Sequence, residues 1–393
     1  MKTIFFILSF ITYNSAFSFV DNNFLTPMGS VEGITGNTGI ARLGSIGSVI
    51  YNPAGLAFST DKKISIAGSA YTQNSISLDS ELIKAKASFF QSTPSQVTTV
   101  FNKWGYALAF SVLVPKVYKF DYNLDVVNNN IEFQSYNTYE SEETYFGPTI
   151  AKKFGKRFSI GTSIFLVKKS LNTSSNDFTL IDNNNFGQIF DSTKIEGYTL
   201  LGSFGATIHL MPRLIMGFKL STPQINLSST FNQNATSIST DTGLSAEKKK
   251  DGEASFFSPA ELAGGLQFRI SNKMKLLTDI AIHTGMKSTI IEKDAKGDKL
   301  EKEYLSSLRA HVGFEYRFSQ NESFNFGAQY NQKNSDDSFD FFGFQAGYRK
   351  KEEIADSIIG FFINKNIEKE EEGVKINYLM AGIYLSTSIN FVK

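Results

Sequence analysis

Apolar and polar residues alternate with a period of two along most of the chain. Within 104–116, the large side chains Trp104, Leu108 and Phe110 fall on one face, and small residues fall on the other. Fourteen segments share this alternation, and most are ten residues or longer, which predicts strands that cross a bilayer at a tilt. The segments are 64–73, 92–101, 104–116, 142–152, 157–168, 196–209, 213–222, 256–270, 273–284, 304–319, 323–333, 339–350, 354–364 and 376–391.

The connections between these segments alternate between short and long. Only two to four residues follow each even-numbered segment, whereas the connections after odd-numbered segments are mostly long and polar. The latter are 74–91, 117–141, 169–195, 223–255, 285–303 and 365–375, with 334–338 as the short exception. Tight periplasmic turns and longer outer loops are typical of an outer-membrane barrel, whereas a soluble β-sandwich does not sort its loops in this way. We therefore predict an all-β fold, a 14-stranded antiparallel transmembrane β-barrel over residues 61–393, located in the cell outer membrane.

The N-terminal sixty residues do not follow the strand pattern. Residues 1–18 combine Lys2, a short apolar run and a small-x-small triplet ending at Ser18, which predicts a secretory signal peptide. The apolar run is shorter than the roughly 20 residues of a spanning helix. Residues 19–60 are rich in glycine, and we expect them to form a compact hatch inside the barrel, where backbones approach each other closely.

The composition excludes several kinds of site and partner. The chain has no cysteine, which excludes disulfides, zinc–cysteine sites and thiol catalysis. Its 39 Lys and Arg residues balance 38 Asp and Glu residues, so the net charge of +1 provides no basic field for nucleic acid. Aromatic residues make up 14% although the mean hydropathy is only −0.15, which fits aromatic side chains turned toward lipid and polar ones toward a lumen. We find no cofactor, metal or catalytic motif and do not expect an enzyme.

Three segments resemble the FadL-type outer-membrane transporters of long-chain fatty acids and other hydrophobic compounds. The first is the hatch run that ends in Asn52, Pro53, Ala54 and Gly55, which is similar to the family's NPA motif. The second is 103–115, which is similar to the family's third strand. The third is 258–282, which is similar to a strand–turn–strand unit of the family's barrel. The resemblance implies passive transport of a fatty acid or similar hydrophobic ligand, with lumen binding, hatch gating and lateral release through the wall. It also implies a monomer that contacts outer-membrane lipid and is inserted by the barrel assembly machinery.

Strand parity assigns side chains to the lumen. Arg309 must point inward, because a charge on the lipid face near mid-bilayer would cost about 2–4 kcal/mol. We expect Arg309, with His311 and Lys219, to meet the carboxylate of an amphipathic ligand. The alternative is a structural lattice in which these cations pair with inward carboxylates. The other inward side chains are the carboxylates Glu261, Asp279 and Glu315 and the apolar residues Leu113, Phe165, Val167, Leu201 and Tyr378.

Prolines disturb a closed barrel, because each removes a donor from a strand ladder. Pro115 ends the third segment, and Pro148 lies inside the fourth, where loop register places it opposite Phe110 and Ser111. This arrangement predicts either a tolerated bulge near the rim or a break between the third and fourth strands that opens the wall sideways. The resemblance favours the opening.

Two other functions stay open at this point. One is a FadL-like barrel that serves as a secretion or surface-protein docking partner and binds no lipid in its lumen. The other is an outer-membrane hydrolase, for which Ser307, His311 and Asp279 are crude candidates without a G-x-S-x-G motif to support them.

Overall fold

A computed structural model describes most of the chain. The described residues are 26–59, 62–79, 84–128, 131–181, 185–239, 244–291, 300–334, 339–367, 369–371 and 374–391. The predicted signal peptide, 1–18, lies outside them, as do residues 19–25 and 60 of the predicted hatch.

The described residues form nineteen strands. Their bounds are β1 Lys63–Asp79, β2 Lys84–Lys103, β3 Tyr106–Asn128, β4 Ile131–Phe154, β5 Phe158–Ile181, β6 Asn185–Met211, β7 Leu214–Ser221, β8 Ile225–Ser239, β9 Leu244–Glu253, β10 Glu261–Arg269, β11 Met274–His283, β12 Met286–Ile291, β13 Leu300–Tyr304, β14 Ser307–Arg317, β15 Glu322–Asn331, β16 Phe341–Lys351, β17 Ala355–Asn366, β18 Lys369–Glu371 and β19 Val374–Asn390.

Fourteen of these strands close into one antiparallel barrel. Its order follows the chain through β1–β7, β10, β11, β14–β17 and β19. The barrel closes where β19 pairs with β1, with Lys63 opposite Asn390. Each of the fourteen predicted segments overlaps one of these strands, so the predicted fold class and strand number are confirmed.

The outward face of the barrel is apolar and the inward face is largely polar. On β14, Leu308 and Val312 are exposed, whereas Arg309 and Glu315 are buried on the inner side. In hydrocarbon a closed barrel satisfies every backbone polar group, and an outer belt of exposed apolar side chains suits it to lipid. The chain is therefore a multi-pass β-barrel of the outer membrane.

The long connections predicted as loops are in large part strands. β3 and β4 stay paired out to Asn128 opposite Ile131, and β5 and β6 out to Ile181 opposite Asn185. The prediction of loops was wrong here because hydropathy alternation fades where both faces of a sheet meet water, although backbone pairing continues. The hairpin of β8 and β9 adds to the outer part of β6, and β12 pairs with β13.

Residues 26–59, here called the inner segment, lie against the inward face of the barrel. They contain 3-10 turns at Val31–Ile34 and Pro53–Phe58 and a one-turn helix at Ser48–Tyr51. Nearly all of their side chains are buried. No helix in the described part of the chain is long and apolar enough to span a membrane.

Glycines in the barrel strands allow this close approach. A methyl group on Gly217 of β7 would overlap the carbonyl oxygen of Ile40, and one on Gly313 of β14 would overlap that of Thr35. Glycine is therefore required at these positions by contact with the inner segment. The division of the chain at residues 18 and 60 stays a prediction.

Candidate functional site

The motif Asn52-Pro53-Ala54-Gly55 connects the inner segment to the wall. The Asn52 side chain accepts a hydrogen bond from the Ala54 amide (3.1 Å) and donates one to the carbonyl oxygen of Ala206 on β6 (3.1 Å). Pro53 occupies the first position of its turn, where its missing N–H costs no hydrogen bond. A side chain at Gly55 would approach within 2.6 Å of the Ser48 hydroxyl. The geometry accounts for these residue types, and their role as a gate stays a prediction.

Two carboxylates of the wall hold the middle of the inner segment. Asp279 Oδ2 on β11 accepts hydrogen bonds from the backbone N–H groups of Gly39 (2.7 Å) and Ile40 (3.0 Å). Glu315 Oε2 on β14 accepts a hydrogen bond from Arg42 Nη1 at 3.2 Å. Asp279, Arg42 and Glu315 are all buried, so these bonds form where water cannot substitute for them.

Glu261 on β10 is the centre of a buried charge cluster. Its carboxylate lies 2.8 Å from Lys219 Nζ and 3.1 Å from His283 Nε2, and it also binds the guanidinium of Arg309. Lys219 and Arg309 are thus brought together, as parity predicted, but they share a protein carboxylate. This pairing favours the structural lattice, and ligand binding by Lys219 and Arg309 stays a prediction.

His311 lies beside this cluster. Its Nδ1 is 3.2 Å from the Asn37 carbonyl oxygen and its Nε2 is 3.4 Å from Asn331 Oδ1. His311, Arg309 and Lys219 line a common cavity of about 20 Å³. Such a volume holds about one water molecule. A fatty-acid tail therefore requires the inner segment to move before it can occupy this place.

A second charge cluster, which sequence reasoning missed, lies toward the outer end of the barrel. Glu143 Oε1 is 3.7 Å from Lys116 Nζ and 3.3 Å from Lys169 Nζ, and all three side chains are buried. Tyr145 donates a hydrogen bond to Glu143 Oε2 at 3.2 Å. Lys169 lies on the same strand face as Phe165 and Val167, so strand parity places it in the lumen as well. The fifth predicted segment, 157–168, stops one residue before it.

Apolar side chains line the inner face beside this outer cluster. The ring of Tyr145 packs 5.9 Å from that of Phe165, and both belong to one buried cluster with Leu113 and Val167. Leu201 packs against the same cluster. A separate aromatic cluster surrounds Tyr378 and comprises, among others, Tyr118, Tyr139, Phe341, Phe362 and Tyr384. The predicted apolar inner wall is confirmed.

The wall is continuous at the predicted break between β3 and β4. Phe110 pairs with Pro148 and Ser111 with Gly147, as loop register predicted, and the ladder continues on both sides. Pro148 interrupts the other ladder of β4 instead, because no pair with β5 forms at 147–148. In the described residues the β3–β4 ladder is irregular at Pro115, where a bulge separates the pairs of Leu113 and Lys116. Of the two predicted alternatives, the described residues show no break in the β3–β4 ladder, and a lateral opening at this seam stays a prediction.

A separation occurs one interface away, between β2 and β3. In the described residues these strands pair from Lys103 opposite Tyr106 to Gln96 opposite Leu113, and farther out β2 pairs with β1 and β3 with β4. One hydrogen bond across the separation is donated by the Gln91 side-chain Nε2 to the Val117 carbonyl oxygen at 3.4 Å.

The inner segment reaches the bulge beside this separation. The Thr26 hydroxyl donates a hydrogen bond to the Pro115 carbonyl oxygen at 3.2 Å. The irregular part of the wall and the inner segment are therefore in direct contact.

The three hydrolase candidates do not form a hydrogen-bonded triad. The Ser307 hydroxyl lies 3.5 Å from Nδ1 of His283 rather than beside His311, and Asp279 binds the amides of the inner segment. The arrangement therefore gives no support to serine-type hydrolysis.

The fold and interior together define a transmembrane barrel with an N-terminal segment folded inside it. Solved structures share this fold. The Pseudomonas putida toluene transporter TodX aligns with a TM-score of 0.70 at 16% identity, over 93% of this chain and 99% of TodX. The Ralstonia pickettii toluene transporter TbuX aligns with a TM-score of 0.67 at 16% identity, over 94% and 99%.

A Pseudomonas aeruginosa FadL homologue also shares the fold. It aligns with a TM-score of 0.65 at 13% identity, over 95% of this chain and all of that one. At such identities the likeness establishes the fold, and the expected FadL-type architecture is confirmed. No protein-family model and no curated protein sequence matches the chain.

Proposed function

We propose that this protein is a passive outer-membrane channel for hydrophobic or amphipathic small molecules, with long-chain fatty acids as its main ligand class. One observation carries the proposal. The apolar inner face around Tyr145 and Phe165 ends at a buried cluster with two lysines, Lys116 and Lys169, and one carboxylate, Glu143. An apolar surface that ends beside two lysines fits a hydrocarbon chain with a carboxylate head.

The proposed route runs from the outer end of the barrel to the β2–β3 separation. The ligand head binds near Lys116 and Lys169, and the ligand leaves sideways beyond the last β2–β3 pair, Gln96 and Leu113. Pro115 borders this opening directly. The neighbouring β3–β4 ladder, which includes the Phe110–Pro148 and Ser111–Gly147 pairs, stays closed. The inner segment, which lies within the hatch predicted at residues 19–60, closes the lumen below and gates the route. Names of similar structures, toluene transporters and a FadL homologue, support a hydrophobic cargo.

The experiment is uptake into liposomes that contain the purified protein. The double variant Lys116→Gln/Lys169→Gln should lower oleate uptake about tenfold and leave toluene uptake unchanged, because toluene has no charged head. Lys119→Gln/Lys168→Gln, which alters two exposed lysines of the same strands, is the matched control. Wild-type protein that moves neither compound, and yields no co-purified fatty acid in native mass spectrometry, would overturn the proposal.

A secretion or surface-docking role is the second candidate. The outer hairpins enclose a cleft of about 1050 Å³ whose lining includes Tyr198, Phe231 and Lys250, which is large enough to receive part of another chain. Co-purification of a secreted protein, with no lipid in the lumen, would favour this role. In either case we place the chain in the FadL-type family, as a monomer inserted by the barrel assembly machinery.

A further inference from the structure

In four consecutive turns at one end of the barrel, every charged residue is basic. They join β2 to β3, β4 to β5, β6 to β7 and β10 to β11, which are neighbours around the barrel. These are the short turns, so this end is periplasmic. Within residues 101–106, 152–158, 209–214 and 268–274 there is no Asp or Glu. The basic residues, here called the basic arc, are Lys103, Lys152, Lys153, Lys156, Arg157, Arg213, Arg269 and Lys273.

The remainder of this rim has a different character. The turn from β16 to β17 includes Glu352 and Glu353, and Lys350 pairs with Glu352 at 2.6 Å. The turn from β14 to β15 leads into Glu322. The surplus of positive charge is thus confined to about half of the circumference, although the net charge of the whole chain is only +1.

The basic arc lies at the level of the membrane interface. Exposed, outward apolar side chains flank its charges, among them Trp104 (80% exposed), Phe154, Phe158 and Phe268. Lys103 Nζ lies 4.1 Å from the centre of the Trp104 ring. Trp and aromatic side chains mark the depth of lipid headgroups, and Lys and Arg extend from there toward phosphate.

From this arrangement we propose that the basic arc binds the anionic headgroups of phospholipids in the inner leaflet of the outer membrane. Polybasic surfaces at a membrane attract acidic lipids, and each basic residue adds to the affinity. A soluble acidic protein is a weaker fit, because Lys103 and Lys152 lie over rings on the lipid-facing side, 4.1 Å from the centre of Trp104 and 4.6 Å from that of Tyr106. The arc would hold the periplasmic edge of the barrel beneath β2–β7, β10 and β11, the part of the wall that includes the β2–β3 separation.

The test measures lipid retention in nanodiscs that contain equal amounts of phosphatidylglycerol and phosphatidylcholine. Native mass spectrometry of the extracted wild-type protein should show preferential retention of phosphatidylglycerol. The triple variant Lys156→Gln/Arg157→Gln/Lys273→Gln should lose this preference by roughly 10- to 100-fold. The matched control removes three exposed charges from the outer hairpins, Lys194→Gln/Lys249→Gln/Lys287→Gln, and should keep the preference.

A salt titration of the wild-type protein provides a measurement that does not depend on a variant folding. Raising the salt concentration should release phosphatidylglycerol before phosphatidylcholine, because screening weakens headgroup attraction. Equal retention of the two lipids by the wild-type protein would overturn the proposal. So would an unchanged preference in a triple variant that still migrates as a folded barrel. Binding of polyglutamate that depends on the arc, without any lipid preference, would indicate a soluble acidic partner instead.

Discussion

Asp279 on the barrel wall accepts a hydrogen bond from the backbone amide of Gly39, 240 positions away in the chain, at 2.7 Å. The same oxygen accepts a second bond from the Ile40 amide. One buried carboxylate therefore fixes the chain direction of the inner segment beside β11. This contact holds the inner segment against β11, in addition to the bond that the Asn52 side chain of the Asn-Pro-Ala-Gly motif makes to β6.

Replacing Asp279 with Ala should loosen the inner segment. The two amides lose their acceptor in a buried place, and each such loss costs about 1–3 kcal/mol. Hydrogen–deuterium exchange should rise in residues 26–59 and stay unchanged in the outer hairpins. Asp279→Asn, which keeps an acceptor oxygen, is the control and should exchange less than the Ala variant. Equal protection in all three proteins would show that the contact does not hold the segment.

Replacing Glu261 tests whether the buried charge cluster around it stabilises the fold or binds ligand. Glu261→Ala removes the carboxylate shared by Lys219 and Arg309, and an uncompensated buried charge destabilises a protein by about 3–5 kcal/mol. The thermal midpoint should therefore fall, and it should partly recover in Lys219→Met/Glu261→Ala, which also removes one cation. Oleate affinity of the double variant should match the wild type. A large loss of oleate affinity in the double variant would show that Lys219 binds the ligand.

Much of the barrel could be predicted from local pattern. The alternation of Leu308 with Arg309 determines which face meets lipid, because a charge cannot lie in hydrocarbon at low cost. Short turns after every second strand then determine strand direction and which end is periplasmic. These properties depend on neighbours in sequence, and the sequence therefore contains them.

The partners of inward side chains could not be predicted in the same way. Parity turns Asp279 and Arg309 toward the lumen, but it does not say that one meets the Gly39 amide and the other Glu261. The ladder that Pro148 interrupts could not be predicted for a related reason. Pro148 shows that a ladder is interrupted, whereas only the register on both sides shows that the interrupted ladder is with β5.

Crosslinking should distinguish the β2–β3 separation from the closed β3–β4 seam. The chain has no cysteine, so two engineered thiols form a defined pair. A short bismaleimide across Gln91→Cys/Val117→Cys would fix the separation, and fatty-acid uptake should fall at least tenfold and recover when a cleavable linker is cut. The same treatment of Phe110→Cys/Pro148→Cys joins residues already paired in a continuous ladder and should leave uptake unchanged. Inhibition by the second pair alone would place the exit between β3 and β4 after all.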